Sequence, residues 1–343
     1  DADIVLEGYI DTSEDLAYEG PFGDHTGFYS LADYYPRFHV TCITHRKNAI
    51  FPATIVGVPP MEDAYLGLVS EKLFLKPLQI GIAPDVVDMH MPVAGVVHNL
   101  VIVSAKISYE GQAFKIANAL WGAGQMMFTK YVIVVDESID IRDYRSVWAQ
   151  IINHVDFQKA LLFSKGPLDV LDHSSDKQSV GGKLAIDATT AVLEKPKYTL
   201  IAEDVFQSMH FAHVLPGLVF VFTTDPSAEI LQLKKKLTTE VSGVIVFVEP
   251  ELEKLNLYTI AWYVLGNTDP HRDIELVGGV VIIDGLKKSG RDNFTRPWPD
   301  LVVMSDSVIS EVDEMWPALK IGELIPSPSL PFKGIAKEMG AEL

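Results

Sequence analysis

The chain has 343 residues, of which 48% are hydrophobic, so it can bury a large core and is expected to form two or three domains. Its formal net charge of −18 disfavours nucleic acids and anionic membrane surfaces as partners. The single cysteine, Cys42, excludes an intrachain disulfide framework and is typical of a reducing compartment. We expect Cys42 to be a small core residue, with a reactive thiol as the alternative.

The N-terminal residues 1–58 are predicted to form strands, because β-branched and aromatic runs at 38–44 and 50–56 flank a polar turn. A glycine- and proline-rich loop, residues 19–28 (the acid loop), lies between two such β-rich runs and carries two carboxylates five positions apart, Glu19 and Asp24.

Nearby carboxylates separate each other's pKa values, which lets a site keep one proton donor and one base at neutral pH. The alternative is a hairpin turn whose acids are simply solvated. His25 either tunes the neighbouring carboxyl group of Asp24 or caps the turn.

Residues 61–80 place apolar side chains at helical spacing and are predicted to form one amphipathic linker helix. From about residue 84 onward, strands alternate with helices, which indicates an α/β layer with a largely parallel sheet. The helix predicted from residue 111 extends to about residue 127, and a buried strand follows at 131–135.

The last part of the chain repeats this unit in its spacing. Trp262 follows Trp148 by 114 positions, and we predict a degenerate internal duplication of about residues 96–195 onto 213–300. Only the first copy keeps a long loop, residues 166–175, which we call the retained loop. Loops carry functional residues on rigid scaffolds, so it is a functional candidate, with a plain surface loop as the alternative.

Five stretches of the sequence together resemble one family. They read DIVLEG, EGPFGD, ITHR, FTKYVIV and KLAIDAT, and they begin at residues 3, 19, 43, 128 and 183. They resemble the UbiD family of reversible decarboxylases, which use prenylated flavin mononucleotide (prenylated FMN). The resemblance covers residue 1 to about residue 200, and EGPFGD is its most specific part.

The resemblance implies a mixed α/β fold in four parts. These are the end of a split-barrel flavin domain (1–58), a linker helix (59–83), an α/β domain (84–205) and a duplicated α/β extension (206–343). Because family members carry a long portion before this point, the chain is expected to be the C-terminal part of a longer protein.

The resemblance also implies roles for individual residues. Asp24 would exchange the proton that replaces carbon dioxide, and Glu19 would form a network with it and an arginine outside this chain. Leu66 and three residues of the retained loop, Leu168, Leu171 and His173, would line the substrate pocket. A core leucine is the alternative for Leu66. Lys130 would reach a flavin phosphate, or would be an ordinary surface lysine at the end of a helix.

The implied cofactors are prenylated FMN with a divalent, manganese-like metal and potassium, whose ligands are expected outside this chain. The implied partners are an aromatic or α,β-unsaturated acid, as in ubiquinone or menaquinone biosynthesis, and a flavin prenyltransferase that supplies the cofactor. A cytoplasmic homo-oligomer is expected, with peripheral membrane contact only for a polyprenylated substrate. The alternative function is a non-catalytic module that stabilises a partner decarboxylase.

Overall fold

The computed structural model describes residues 2–51, 53–189, 203–238 and 241–336. It divides into two compact units, one formed by residues 1–62 with 297–343 and the other by residues 63–296. Mixed sheets and helices confirm the predicted α/β class. The described strands form open sheets, so the split barrel stays a prediction.

The N-terminal part of the first unit consists of four short strands, β1 (Ile4–Tyr9), β2 (Ala17–Glu19), β3 (Asp33–Tyr35) and β4 (His39–His45). Strand β1 pairs antiparallel with β4, and β2 pairs antiparallel with β3. Each pair is a separate two-stranded ribbon.

Two predictions for this unit are wrong. Cys42 on β4 is exposed rather than buried, because the ribbon of β1 and β4 packs no layer of the described residues over that strand. The described residues of the 50–56 run form no strand, although their composition favours one. Propensity alone does not make a strand where no neighbouring strand offers its hydrogen bonds.

The predicted linker helix is confirmed as α1 (Glu62–Gly81), which leads into the second unit. Gly67, Glu71 and Leu78 are buried on one face, while the opposite face leaves large apolar side chains exposed. No helix of the described residues is both long and apolar enough to cross a bilayer.

The first repeat, residues 86–188, builds a five-stranded mixed sheet. Its strands are β5 (Val86–His90), β6 (Leu100–Ala105), β7 (Tyr131–Asp136), β8 (Leu161–Pro167) and β9 (Val180–Ala188), in the order β5-β6-β7-β9-β8. Strands β6, β7 and β9 are parallel, and the two edge strands are antiparallel to them. Its helices are α2 (Gln112–Trp121), α3 (Tyr144–His154) and α4 (Phe157–Ala160). Helix α2 is shorter than predicted, because it ends at Trp121 and the chain continues as a 3-10 turn (Gly124–Phe128) that begins with Gly124 at φ +50°.

The second repeat, residues 211–284, builds a second sheet with the same order and the same strand directions. Its strands are β10 (Phe211–Leu215), β11 (Leu218–Phe222), β12 (Ser242–Val248), β13 (Ile274–Val277) and β14 (Gly279–Asp284), in the order β10-β11-β12-β14-β13. Its helices are α5 (Ser227–Lys236), α6 (Leu257–Asn267) and α7 (Pro270–Asp273). The shared topology supports the predicted duplication, whose residues 190–195 lie outside the described part of the chain.

The helices set the register between the repeats. Helix α3 begins at Tyr144 and α6 at Leu257, 113 positions later, and α4 and α7 keep that offset. The predicted pairing of Trp148 with Trp262, at an offset of 114, is therefore wrong by one residue. The predicted domain boundaries stay predictions. The segment after residue 296, which includes helix α8 (Asp306–Leu319), lies in the same compact unit as residues 1–62.

We expect Leu233→Ala to lower the free energy of unfolding by roughly 2–5 kcal/mol, since truncating a buried leucine leaves a cavity. Leu233 is completely buried in the core of the second repeat. Leu231→Ala on the same helix is the matched control, because that side chain is 56% exposed. Urea unfolding measures both, and equal losses would contradict the assignment of the buried face.

Candidate active site

The backbone of the acid loop closes on itself. Phe22 O accepts a hydrogen bond from Ser30 N (2.8 Å), and Phe22 N donates to Ser30 Oγ (3.2 Å). Gly20 and Gly27 have φ of +98° and +84°, a region in which a side chain would be strained. These contacts give the two acids a fixed turn.

The segment after the second unit stabilises the end of this loop. Tyr29 N donates to Asp300 O, and Val302 N donates to Gly27 O, both at 2.9 Å. Phe28, which lies between Gly27 and Tyr29 and pairs with Leu301, is buried. The C-terminal segment of the chain therefore fixes the position of the acid loop.

The carboxylate of Asp24 is partly buried, and only one of its two oxygens accepts hydrogen bonds from described residues. Its Oδ1 accepts hydrogen bonds from His25 N (2.7 Å) and, through the imidazole, from His25 Nδ1 (3.0 Å). Within the described chain its second oxygen, Oδ2, accepts no hydrogen bond. His25 thus contacts the carboxyl group of Asp24, and whether it tunes that group or caps the turn stays a prediction.

Glu19 ends β2 and faces Asp33 across the ribbon, with its side chain exposed. Neither Glu19 nor Asp24 hydrogen-bonds to the other, and no arginine or lysine of the described residues pairs with either. The structure therefore places the two acids on one loop without joining them.

Leu66 lies on the exposed face of α1 and is 60% exposed, so the alternative of a core leucine is wrong. The helix buries its other face, on which Gly67 approaches Val97 and Glu71 is held by several donors. Leu66 therefore keeps its apolar side chain available for contact.

Glu71 fixes α1 to the first sheet through a cluster that the sequence analysis missed. Its carboxylate accepts hydrogen bonds from Met91 N (2.8 Å), His90 Nδ1 (3.0 Å) and Arg142 Nη2 (2.9 Å), and His90 Nε2 contacts the Tyr144 hydroxyl at 2.9 Å. Burial raises the pKa of Glu71, but the hydrogen bonds from His90, Met91 and Arg142 outweigh it, so the pKa lies below its ordinary value. The signal was a glutamate on the otherwise apolar face of an amphipathic helix.

The retained loop is packed into the interior rather than lying on the surface. Leu168 and His173 are buried, and Leu171 is partly buried. His173 Nε2 contacts Asn267 Oδ1 of the second repeat at 3.0 Å. The alternative of a plain surface loop is wrong, because Leu168 and His173 are buried and His173 contacts the second repeat.

Lys130 is completely buried, so the alternative of a surface lysine is also wrong. Its ammonium donates to Asp172 Oδ2 (2.7 Å) and Ser174 Oγ (3.0 Å), both in the retained loop. Burial raises the pKa of Asp172, but the charge of Lys130 and its hydrogen bond outweigh it and hold the pKa at about 2. A lysine removed from water requires such a counter-charge.

A second buried lysine, Lys183, follows the glycine pair at the start of β9. Its ammonium donates to Met127 O (2.7 Å) and Thr129 O (2.8 Å), and burial lowers its pKa to about 8. The sequence did not single out Asp172, Ser174 and Lys183 as buried, hydrogen-bonded residues. The signal for Asp172 was present, since a charged residue inside an apolar stretch demands an opposite charge.

No group of three or more potential ligand side chains that could hold a metal is present in the described ranges. The metal and potassium ligands therefore stay predictions for residues outside this chain.

Titration of His173 should couple folding to pH. Burial lowers its pKa to about 4, against the opposing charge of Asp172, while the unfolded chain takes up that proton near pH 6.5. The unfolded state therefore binds more protons between pH 6.5 and 4, so stability falls by about 3 kcal/mol as the pH drops through this window. Urea unfolding of the wild type and His173→Gln between pH 4.5 and 7 measures the effect. Glutamine keeps a donor for Asn267 without titrating, so a variant with an unchanged pH slope would refute the assignment.

Two family models match the chain. Residues 1–59 match the 3-octaprenyl-4-hydroxybenzoate carboxy-lyase Rift-related domain, and residues 64–188 match the C-terminal domain of the same carboxy-lyase. An uncharacterized protein of Helicobacter pylori is 34% identical over 91% of this chain and 53% of its own length. An uncharacterized protein of Aquifex aeolicus is 49% identical over 55% of this chain and 39% of its own length.

Solved structures with the same fold include vanillic acid decarboxylase from Sedimentibacter hydroxybenzoicus. Its open form is 30% identical, covers 68% of this chain and 46% of that chain, and superposes with a TM-score of 0.51. The closed form gives 29% identity, 68% and 45% coverage, and the same TM-score. The chain spans about half the length of the H. pylori relative that it matches. By both matched domains, the chain belongs to the UbiD family of carboxy-lyases.

Proposed function

We propose that this chain is part of an enzyme that decarboxylates an aromatic or α,β-unsaturated carboxylic acid with prenylated FMN, and that Asp24 supplies the proton. The observation that carries the proposal is the state of Asp24 in the EGPFGD loop. Its Oδ1 is held by His25, and its Oδ2 is left without a partner among the described residues. Membership of the carboxy-lyase family supports the reaction type.

The residues present fit the cofactor only in part. Glu19 and Asp24 keep accessible carboxylates on a fixed turn, as a proton-transfer pair requires. Lys130 does not fit as a phosphate ligand, because its ammonium is buried and already donates to Asp172 and Ser174. The flavin-binding groups must therefore come from residues other than Lys130.

Decarboxylation breaks the bond between the substrate carbon and its carboxylate, and the electron pair stays with the substrate. When bound, prenylated FMN would supply the electron sink for that charge. Protonated Asp24 would then give its Oδ2 proton to the carbon. Because its side chain is about one-quarter exposed, water can return a proton to the carboxylate.

The four residues predicted to line the substrate pocket differ in their exposure. Leu66 and Leu171 keep accessible surface and would contact the apolar part of the substrate. Leu168 and His173 are buried, so they would shape a pocket only through the position of the retained loop.

The finer points of the proposal rest on the family alone. They are a substrate of quinone biosynthesis, a reversible reaction, a divalent metal with potassium, a flavin prenyltransferase as supplier, a cytoplasmic location and a homo-oligomer. Contact with a membrane would arise only for a polyprenylated substrate. The solved relative acts on vanillic acid, an aromatic acid, which fits the proposed substrate class.

The test is Asp24→Asn in the full-length protein, co-produced with a flavin prenyltransferase. We expect kcat to fall by about 10²–10⁴-fold, as for the loss of a general acid, with a matching loss of solvent-deuterium incorporation into the product. The absorption spectrum of the flavin establishes equal cofactor loading in wild type and variant.

Glu7→Gln is the matched control, because Glu7 is an exposed acid on β1 outside the acid loop. This control should leave both rates within twofold or so of the wild type, as surface substitutions usually do. Undiminished decarboxylation and deuterium incorporation by Asp24→Asn would remove Asp24 from the proposed role.

A further inference from the structure

The two repeats contact each other through equivalent positions. His271 of α7 hydrogen-bonds to Ser164 O on β8 of the first repeat (2.8 Å). Gln158 of α4, which is equivalent to His271 at the offset of 113, donates to Gly278 O directly after β13 (3.2 Å). Each repeat therefore gives the other a side-chain hydrogen bond from the equivalent helix to a main-chain carbonyl on, or directly after, the equivalent strand.

Two further contacts are reciprocal in the same way. Helix α7 packs on β9, and its equivalent α4 packs on β14. Helix α6 packs on the turn Val93–Gly95 between β5 and β6. Its equivalent α3 contacts the turn between β10 and β11, where Trp148 Nε1 donates to Pro216 O at 2.8 Å. Reciprocal contacts of this kind define an isologous interface, in which the same surface patch of two copies meets.

The contact between the two repeats is not fully symmetric, because only the first repeat has the retained loop. The chain passes from β13 to β14 through Gly278 alone, whereas β8 and β9 are separated by residues 168–179. In the second repeat, residues 267–272 (the clamp segment) contact this loop and its flanks. The contacts join Asn267 to His173, Thr268 O to Ser174 Oγ, Asp269 to Gly182 N, and Arg272 to Asp176.

The clearest of these contacts explains a pair of glycines. Asp269 Oδ2 accepts the Gly182 N–H at 2.9 Å, and its Oδ1 accepts the His271 N–H in the first turn of α7. A Cβ on Gly181 would lie 2.7 Å from Asp269 Oδ2, and one on Gly182 would overlap Asp269 Oδ1. Only glycine lets the carboxylate approach the backbone this closely.

The equivalent residue of the first repeat has the same local role without the contact. Asp156 Oδ1 accepts the Gln158 N–H and so caps α4, as Asp269 caps α7. Its Oδ2 lies near Lys159 on the surface. Capping alone therefore does not account for the position of Asp269 against β9.

We propose that the second repeat is a built-in partner of the first. It takes the place that a second copy takes in an isologous dimer, and its clamp segment holds the retained loop against the first sheet. The contacts of Asn267, Thr268 and Asp269 are buried, so the loop cannot open without separating the two repeats. The inference concerns folding within one chain and does not depend on the proposed reaction.

The test is amide hydrogen exchange of the full chain, comparing Asp269→Asn with Asp156→Asn. Asparagine keeps one oxygen that can cap the helix at both positions. At position 269 its NH2 group would either face the Gly182 N–H, where two donors cannot bond, or replace the oxygen that caps α7. We expect amides of residues 168–182 to exchange roughly ten- to hundredfold faster in Asp269→Asn, as for the loss of a hydrogen bond to a charged group. Amides of β11 and β12 report whether the second sheet itself is intact.

Asp156→Asn should leave exchange in residues 168–182 within about threefold of the wild type, because it removes only exposed contacts. Equal exchange in the two variants, or no change in Asp269→Asn, would overturn the proposal. If Asp269→Asn instead accelerates exchange throughout both sheets, Asn267→Ala decides the matter. Asn267 is buried, and its Oδ1 contacts His173 Nε2 of the loop at 3.0 Å. Faster exchange confined to residues 168–182 in that variant supports the clamp, and unchanged exchange there refutes it.

Discussion

The buried ion pair between Lys130 and Asp172 is the constraint on which the retained loop depends. Both side chains are out of water, and neither can stay charged there without the other. Lys130 directly precedes β7 in the sheet of the first repeat, whereas Asp172 belongs to the loop, so the pair fixes the loop to the sheet. Ser174 and His173 extend the buried polar contacts to the second repeat, where Thr268 and Asn267 receive them.

The repeated topology explains how one chain supplies both sides of this arrangement. Each repeat keeps the same strand order and the same capped one-turn helix after its long helix. The two copies have diverged where they touch. The first copy keeps the long loop, and the second carries the sequence Asn-Thr-Asp-Pro-His-Arg at the positions that hold it. The polar side chains of the clamp segment in the second copy have partners only because the first copy contains the retained loop.

The sequence predicted what depends on local pattern. The periodicity of residues 61–80 predicted α1, and the apolar runs predicted β6 and β7, because both signals lie within a few residues. It could not predict the burial of Lys130, whose counter-charge lies 42 positions away, or the exposure of Cys42, which depends on what packs against a ribbon. Glu19 and Asp24 were recognisable as a motif, but the pairing of Glu19 with Asp33 was not, since it depends on which strands pair in the fold.

A double-mutant cycle on Lys130 and Asp172 tests the central claim most directly. Lys130→Met and Asp172→Leu should each lower the free energy of unfolding by about 3–5 kcal/mol, because each leaves the other charge buried without a partner. The double variant should recover much of that loss. The exposed pair Lys115 and Asp85, 3.2 Å apart, is the matched control and should show no resolvable coupling. Additive losses at Lys130 and Asp172, with no more coupling than the surface pair, would contradict the account.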